Sequence, residues 1–92
     1  MIMVRKFRHR TDRYINGFHI VEVDLLISED NLFFHSPTFQ LKLRAKHNTE
    51  NPILIYNLTL NQLECENFKS FGEEIKEFCL FAYNFYILAN GL

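Results

Sequence analysis

Glycine is scarce in this chain of 92 residues: Gly17, Gly72 and Gly91 are the only three, each isolated. A glycine-rich loop that cradles phosphate is therefore missing. Cysteine is sparser still, with Cys65 and Cys79 fourteen positions apart. On one helix rising about 1.5 Å per residue they lie too far apart to bridge each other. The histidines, at 9, 19, 35 and 47, fall in separate segments, and none is spaced from a cysteine or carboxylate as a zinc ligand would be. No Ser/His/Asp set or carboxylate pair stands out. No apolar run reaches transmembrane length, and Met1 to Val4 runs into Arg5 and Lys6 well short of a secretory core. These absences argue against an enzyme, a metal, a cofactor and a membrane partner. They place the chain in the reducing cytoplasm with free thiols, where the glycosylation pattern Asn57-Leu58-Thr59 is idle.

What the chain has in quantity is apolar and aromatic surface. Hydrophobic residues make up 48% of it and ten residues are Phe, which argues for a packed globule over disorder. The length suits a single domain, 1–92, with residues 1–60 as sheet and 61–92 as helix. Phe68, Phe71, Ile75, Phe78, Ala82, Phe85 and Ala89 recur at spacings of three and four, predicting a helix face that packs on the sheet. Halfway along, Glu73, Glu74, Lys76 and Glu77 on the other faces give way to Leu80, Phe81, Ile87 and Leu88. A helix apolar all round needs cover all round. Such a helix, 25 residues and about 37 Å long, also outruns an eight-residue strand of about 26 Å. Leu80, Phe81, Ile87 and Leu88 are thus the expected self-association surface, and a homodimer the expected state. The helix starts at Asn61, with Glu64 completing a capping box, or afresh near Asn67, and Gly91 ends it. Gly72 falls inside the pattern at a cost of about 1 kcal/mol relative to Ala, which suggests close approach to a strand. Cys79 falls on the flank of the stripe, where a thiol is inert.

Alternation predicts the strands. Met3 to Arg10 places Met3, Arg5, Phe7 and His9 on one side and Val4, Lys6, Arg8 and Arg10 on the other. After the turn around Asn16-Gly17, Phe18 to Ile27 sets Val21, Val23, Leu25 and Ile27 inward and Ile20, Glu22, Asp24 and Leu26 outward, so the two runs form a β-hairpin. Ser28 to Asn31 reads as a turn, and Leu32 to His35 as a short strand stopped by Ser36-Pro37. Phe39 to Lys46 turns Phe39, Leu41, Leu43 and Ala45 inward, and Ile53 to Leu60 turns Leu54, Tyr56, Leu58 and Leu60 inward. The fold class is α+β: an antiparallel β-meander of four to five strands packed on one face by a single long C-terminal helix.

Charge is lopsided. Residues 1–47 hold eight Lys/Arg against five Asp/Glu, net +3, and residues 48–92 hold two against six, net −4. Arg10, Arg13, Lys42, Arg44 and Lys46, with Lys6, Arg8 and Tyr14, compose a basic stripe that reads in two ways. It is a phosphate footprint for nucleic acid, or a partly neutralised sheet face in which Arg8 stands opposite Glu22 and Lys6 opposite Asp24. That face lacks the exposed aromatics on which bases stack. The favoured expectation is a small non-enzymatic protein that binds another protein. By size and composition it is of the inhibitor, immunity-factor or phage anti-defence kind, for example anti-CRISPR-like. A nucleic-acid binder is the alternative.

Overall fold

The tight turn Asn16-Gly17 sets the frame of the molecule. Both residues have positive φ, 51° and 82°, the left-handed pair that matches the twist of two hairpin strands and that Asn-Gly adopts with least strain. In the computed structural model, which describes residues 2–30, 37–64 and 71–90, this turn joins β1 (Ile2–Ile15) to β2 (Phe18–Asp30). β3 (Thr38–Ala45) and β4 (Leu54–Leu58) follow, then α1 (Leu60–Glu64) and α2 (Glu73–Asn90). The strands form one antiparallel sheet in the order β1-β2-β3-β4. This is the expected α+β meander with a C-terminal helix. The expected strand Leu32–His35, the stripe residue Phe68, Cys65, Gly91 and the helix start at Asn67 lie outside the described residues. Ser28, Glu29 and Asp30 belong to β2, so no turn begins at Ser28.

Val23, Leu25 and Ile27 of β2 and Phe39, Leu41 and Leu43 of β3 are buried under the helices, as alternation requires. The pattern breaks near the hairpin. Glu22 pairs with Arg44 and Ile20 with Ala45, so β2 carries one residue more than β3, and Val21 is the extra one. Ile20 consequently joins the core while Val21 stays half-buried, the reverse of the expected assignment. The same irregularity passes between Arg10 and Arg13 on β1.

Among the described residues the helical region holds two helices, α1 and α2, with α2 beginning after Gly72. Thr59 caps α1: its hydroxyl accepts from the Gln62 amide at 3.2 Å while Gln62 Oε1 accepts from the Thr59 amide at 2.8 Å. This is a capping box two residues before the expected Asn61. Gly72 precedes α2 with φ +89° and accepts the Lys76 amide at 3.1 Å, so it caps the helix and does not sit within it. With 18 residues α2 spans about 27 Å, and β2 with 13 about 43 Å. The helix does not outrun the sheet, which removes one of the two reasons for expecting self-association.

The core stripe of α2 is Ile75, Cys79, Ala82 and Tyr86, with Phe71 ahead of it. Compared with the expected stripe the helix is turned by roughly half of its 100° residue step. Phe78 is half-buried and Phe85 and Ala89 are exposed, whereas Cys79 occupies the centre. Aromatic side chains explain the turn: Tyr83 meets Phe39 edge-on at 5.6 Å on one flank, and Phe78 stacks on His9 at 5.1 Å on the other.

Candidate functional site

The sheet face away from the helices is organised around Asp24. Its carboxylate is fully buried although it points to the open side. Arg8 grips it through two bonds, Nε to Oδ1 at 2.8 Å and Nη2 to Oδ2 at 3.1 Å, and Arg44 Nη1 donates to Oδ2 at 2.6 Å. Burial raises the pKa of this carboxyl, but the Arg8 hydrogen bond and the charges of Arg44, Arg8 and Lys6 outweigh it and hold the group below the usual carboxylate range. The expected cross-strand pairs are corrected: Arg8 stands opposite Asp24, Arg10 opposite Glu22, and Lys6 opposite Leu26. The expected pairs need a hairpin centred near Tyr14 and Ile15; with the turn at Asn16-Gly17 and the irregularity between Arg10 and Arg13, the partners of Lys6 and Arg8 are displaced by two.

The proposed basic set is therefore divided. Arg10, Lys42 and Arg44 share the open face, with Arg44 committed to Asp24. Lys46 lies in the turn after β3, its amide bonded to the His19 carbonyl at 2.9 Å. Arg13 is not with them. Paired with the buried Ile20, it faces the helix, where its Nη1 lies 3.8 Å from Glu74 Oε1. His9, also on that face, bonds Glu74 Oε2 at 2.6 Å; the carboxylate can only accept, so the imidazole Nε2 donates. The His9 bond, aided by the Arg13 charge, holds the Glu74 carboxyl below its ordinary range. Basic strand and acidic helix start thus attract each other within the chain.

One exposed aromatic does lie on the open face. Tyr14, 73% exposed, stacks on its register partner His19 at 4.7 Å, and His19 in turn bonds Asp12. The sequence named Tyr14 but not the stack, which follows from pairing across the hairpin. A shallow depression of about 450 Å³ opens further along, lined by Leu26, Ser28, Gln40 and Asn57 among others. Among the described residues its lining includes no titratable group.

The expected self-association residues also separate. Phe81 and Leu88 are 71% and 82% exposed and stand seven positions apart, two turns on one face of α2. Phe85, 48% exposed, lies beside them and touches Phe7 of β1 edge-on at 6.0 Å. Leu80 and Ile87 are partly buried on the opposite flank, and Ile87 packs on the core. Cys79 is fully buried, and burial pushes its thiol up to about 12. Among the described residues no group of three His, Cys, Asp or Glu side chains is placed to hold a metal ion, and no helix is long and apolar enough to cross a membrane.

No protein-family model, curated protein or solved structure matches this chain.

Proposed function

We propose that this is a non-enzymatic protein-binding protein that pairs with a second copy through Phe81 and Leu88. The supporting observation is the exposed apolar stripe on α2, two large side chains more than two-thirds exposed on one helix face with Phe85 beside them. Side chains of this size grouped on a surface mark contact sites more often than isolated ones do. Leu80 and Ile87 leave the pairing surface, since both are partly buried and Ile87 packs on the core. Size and composition keep the protein in the class of small inhibitors, immunity factors and phage anti-defence proteins, acting in the cytoplasm where a free thiol such as Cys79 stays reduced.

Nucleic-acid binding is the weaker reading. Asp24 takes up Arg8 and Arg44, Arg13 faces the helix, and among the described residues the open face carries one aromatic stack where base-stacking sheets carry several. Light scattering after gel filtration tests the proposal. The wild type should run as a dimer at tens of micromolar, and Phe81→Glu and Leu88→Glu should each run as folded monomers. A wild type that is already monomeric ends the self-association reading, and submicromolar, steeply salt-dependent oligonucleotide binding lost in Arg10→Ala/Lys42→Ala reverses the ranking.

A further inference from the structure

We propose that the outer edge of β1 takes up an extended segment of another protein, with side chains alternately acidic and apolar, as a fifth strand of the sheet. This deepens the protein-binding reading above by assigning a partner chemistry, on the β1 edge, which adjoins the Phe81 and Leu88 stripe at Phe85.

The topology leaves β1 at one end of the sheet, with β2 its only paired neighbour among the described strands. From Ile2 to Arg10 its register with β2 is unbroken, and only beyond Arg10 does the irregularity distort it. A regular edge of nine residues is a template for strand addition, because alternate backbone N–H and C=O groups point outward. The opposite edge, β4, is five residues long and carries no charged side chain.

Side chains on the two sides of that edge decide the occupant. On the open side stand Val4, Lys6, Arg8 and Arg10, all exposed. Arg8 is held by Asp24, so Lys6 and Arg10 are the charges this row offers. Antiparallel pairing with β1 of a second copy brings such basic side chains together in the registers that overlap them with both open faces on one side, and like charges directly opposite are destabilising. The edge therefore resists a second copy, as basic edge strands do generally. The same row favours carboxylates. On the helix side, between the exposed Arg5 and the partly buried His9, Phe7 is half-buried against Phe85, itself half exposed, which leaves an apolar shoulder midway along the edge. Because side chains of an added strand alternate between the two sides, the segment that fits carries acidic residues at one parity and apolar residues at the other.

A fluorescein-labelled (Glu-Val)4 peptide, followed by anisotropy at about 0.15 M salt, tests this with the intact protein. The expected result is saturable binding, with a (Lys-Val)4 control bound at least about tenfold more weakly. Two further peptides, N-methylated at every Glu or at every Val, separate strand addition from general charge attraction. Only one edge of the added strand bonds β1, so one methylated peptide should bind like the parent and the other should fail. Lys6→Glu/Arg10→Glu should reverse the preference between the Glu and Lys peptides while leaving circular dichroism and oligomeric state unchanged. The Phe81→Glu protein should still bind, so loss of dimerisation and loss of peptide capture are read independently. Absence of saturable (Glu-Val)4 binding, equal binding of both methylated peptides, or conversion of dimer to monomer by Lys6→Glu/Arg10→Glu would each overturn the proposal. The last would show a second copy on this edge.

Discussion

The guanidinium of Arg13 fills the space that a side chain at residue 72 would need: a Cβ built on Gly72 would come 2.4 Å from Arg13 Nη2 and 2.7 Å from Cζ. Gly72 itself has φ +89°, a conformation strained for any residue with a Cβ. Both effects oppose substitution, but they are separable. Gly72→Ala should lower stability by about 1–3 kcal/mol. Arg13→Ala in the same chain should recover the steric part alone, because it removes the guanidinium and leaves φ at residue 72 unchanged. Urea unfolding of the two single variants and the double variant gives the coupling directly; strict additivity would mean that the Arg13 contact contributes nothing.

Asp24 makes the stability of the sheet depend on acid. Its folded pKa lies below the unfolded value of about 3.9, lowered against burial by its arginine partners. The stability it contributes is therefore complete above that unfolded value and is lost as pH falls through the lower folded one. Glu74, also lowered, acts in the same direction. At neutral pH Asp24→Ala should cost about 3 kcal/mol, since Arg44, only 12% exposed, is left without its carboxylate. Arg8→Ala should cost less, because that side chain is nearly half exposed. The gap between wild type and Asp24→Ala in urea midpoint should narrow as pH is lowered toward about 3. A gap independent of pH would detach Asp24 from its arginines.

The meander was legible because its signals are local. Asn16-Gly17 states a turn, and Phe39 to Ala45 alternates without a fault. What sequence could not register was a single extra residue. Periodicity carries no mark for Val21 as a bulge, yet that residue reverses Ile20. The basic stripe divides for a simpler reason: counting by twos from Phe7 and His9 along β1 puts Arg13 on the helix side, away from Arg10 and Lys42. The helix was misread for a different reason. Phe, Ile and Ala satisfy a three-four spacing on either of two adjacent stripes, and the choice between them depends on which strand residues meet it. His9 and Phe39, by stacking with Phe78 and Tyr83, decide the rotation, and neither contact is visible along the chain. Spacing alone puts Gly72 inside the helix, whereas α2 begins after it and the close approach is to the Arg13 side chain of β1.

That rotation can be measured. Ile75 is fully buried and Phe85 nearly half exposed. Ile75→Ala should therefore cost about 3 kcal/mol, in the range of fully buried aliphatic truncations. Phe85→Ala should cost about 1 kcal/mol despite removing more atoms, because much of the ring is already in water. Phe78→Ala should fall between them. Thermal unfolding that ranks Phe85→Ala above Ile75→Ala would return the helix to the orientation suggested by spacing alone.

Cys79 reports on the same packing through its chemistry. The thiol is enclosed by the helix–sheet core, and its pKa, pushed up to about 12, leaves almost no thiolate at neutral pH. Thiolate is the reactive species, so exclusion of reagent and suppression of ionisation act together. Iodoacetamide at about pH 7.5 should leave Cys79 unmodified in the native protein and label it fully in urea, as read by peptide mass spectrometry. Labelling should follow the opening of α2 from the sheet. Ile75→Ala, which loosens the contact one turn away, should accelerate it, whereas Leu88→Glu on the outer face should not. Rapid native labelling of Cys79, or equal acceleration by both variants, would contradict the placement of this thiol at the centre of the helix–sheet seam.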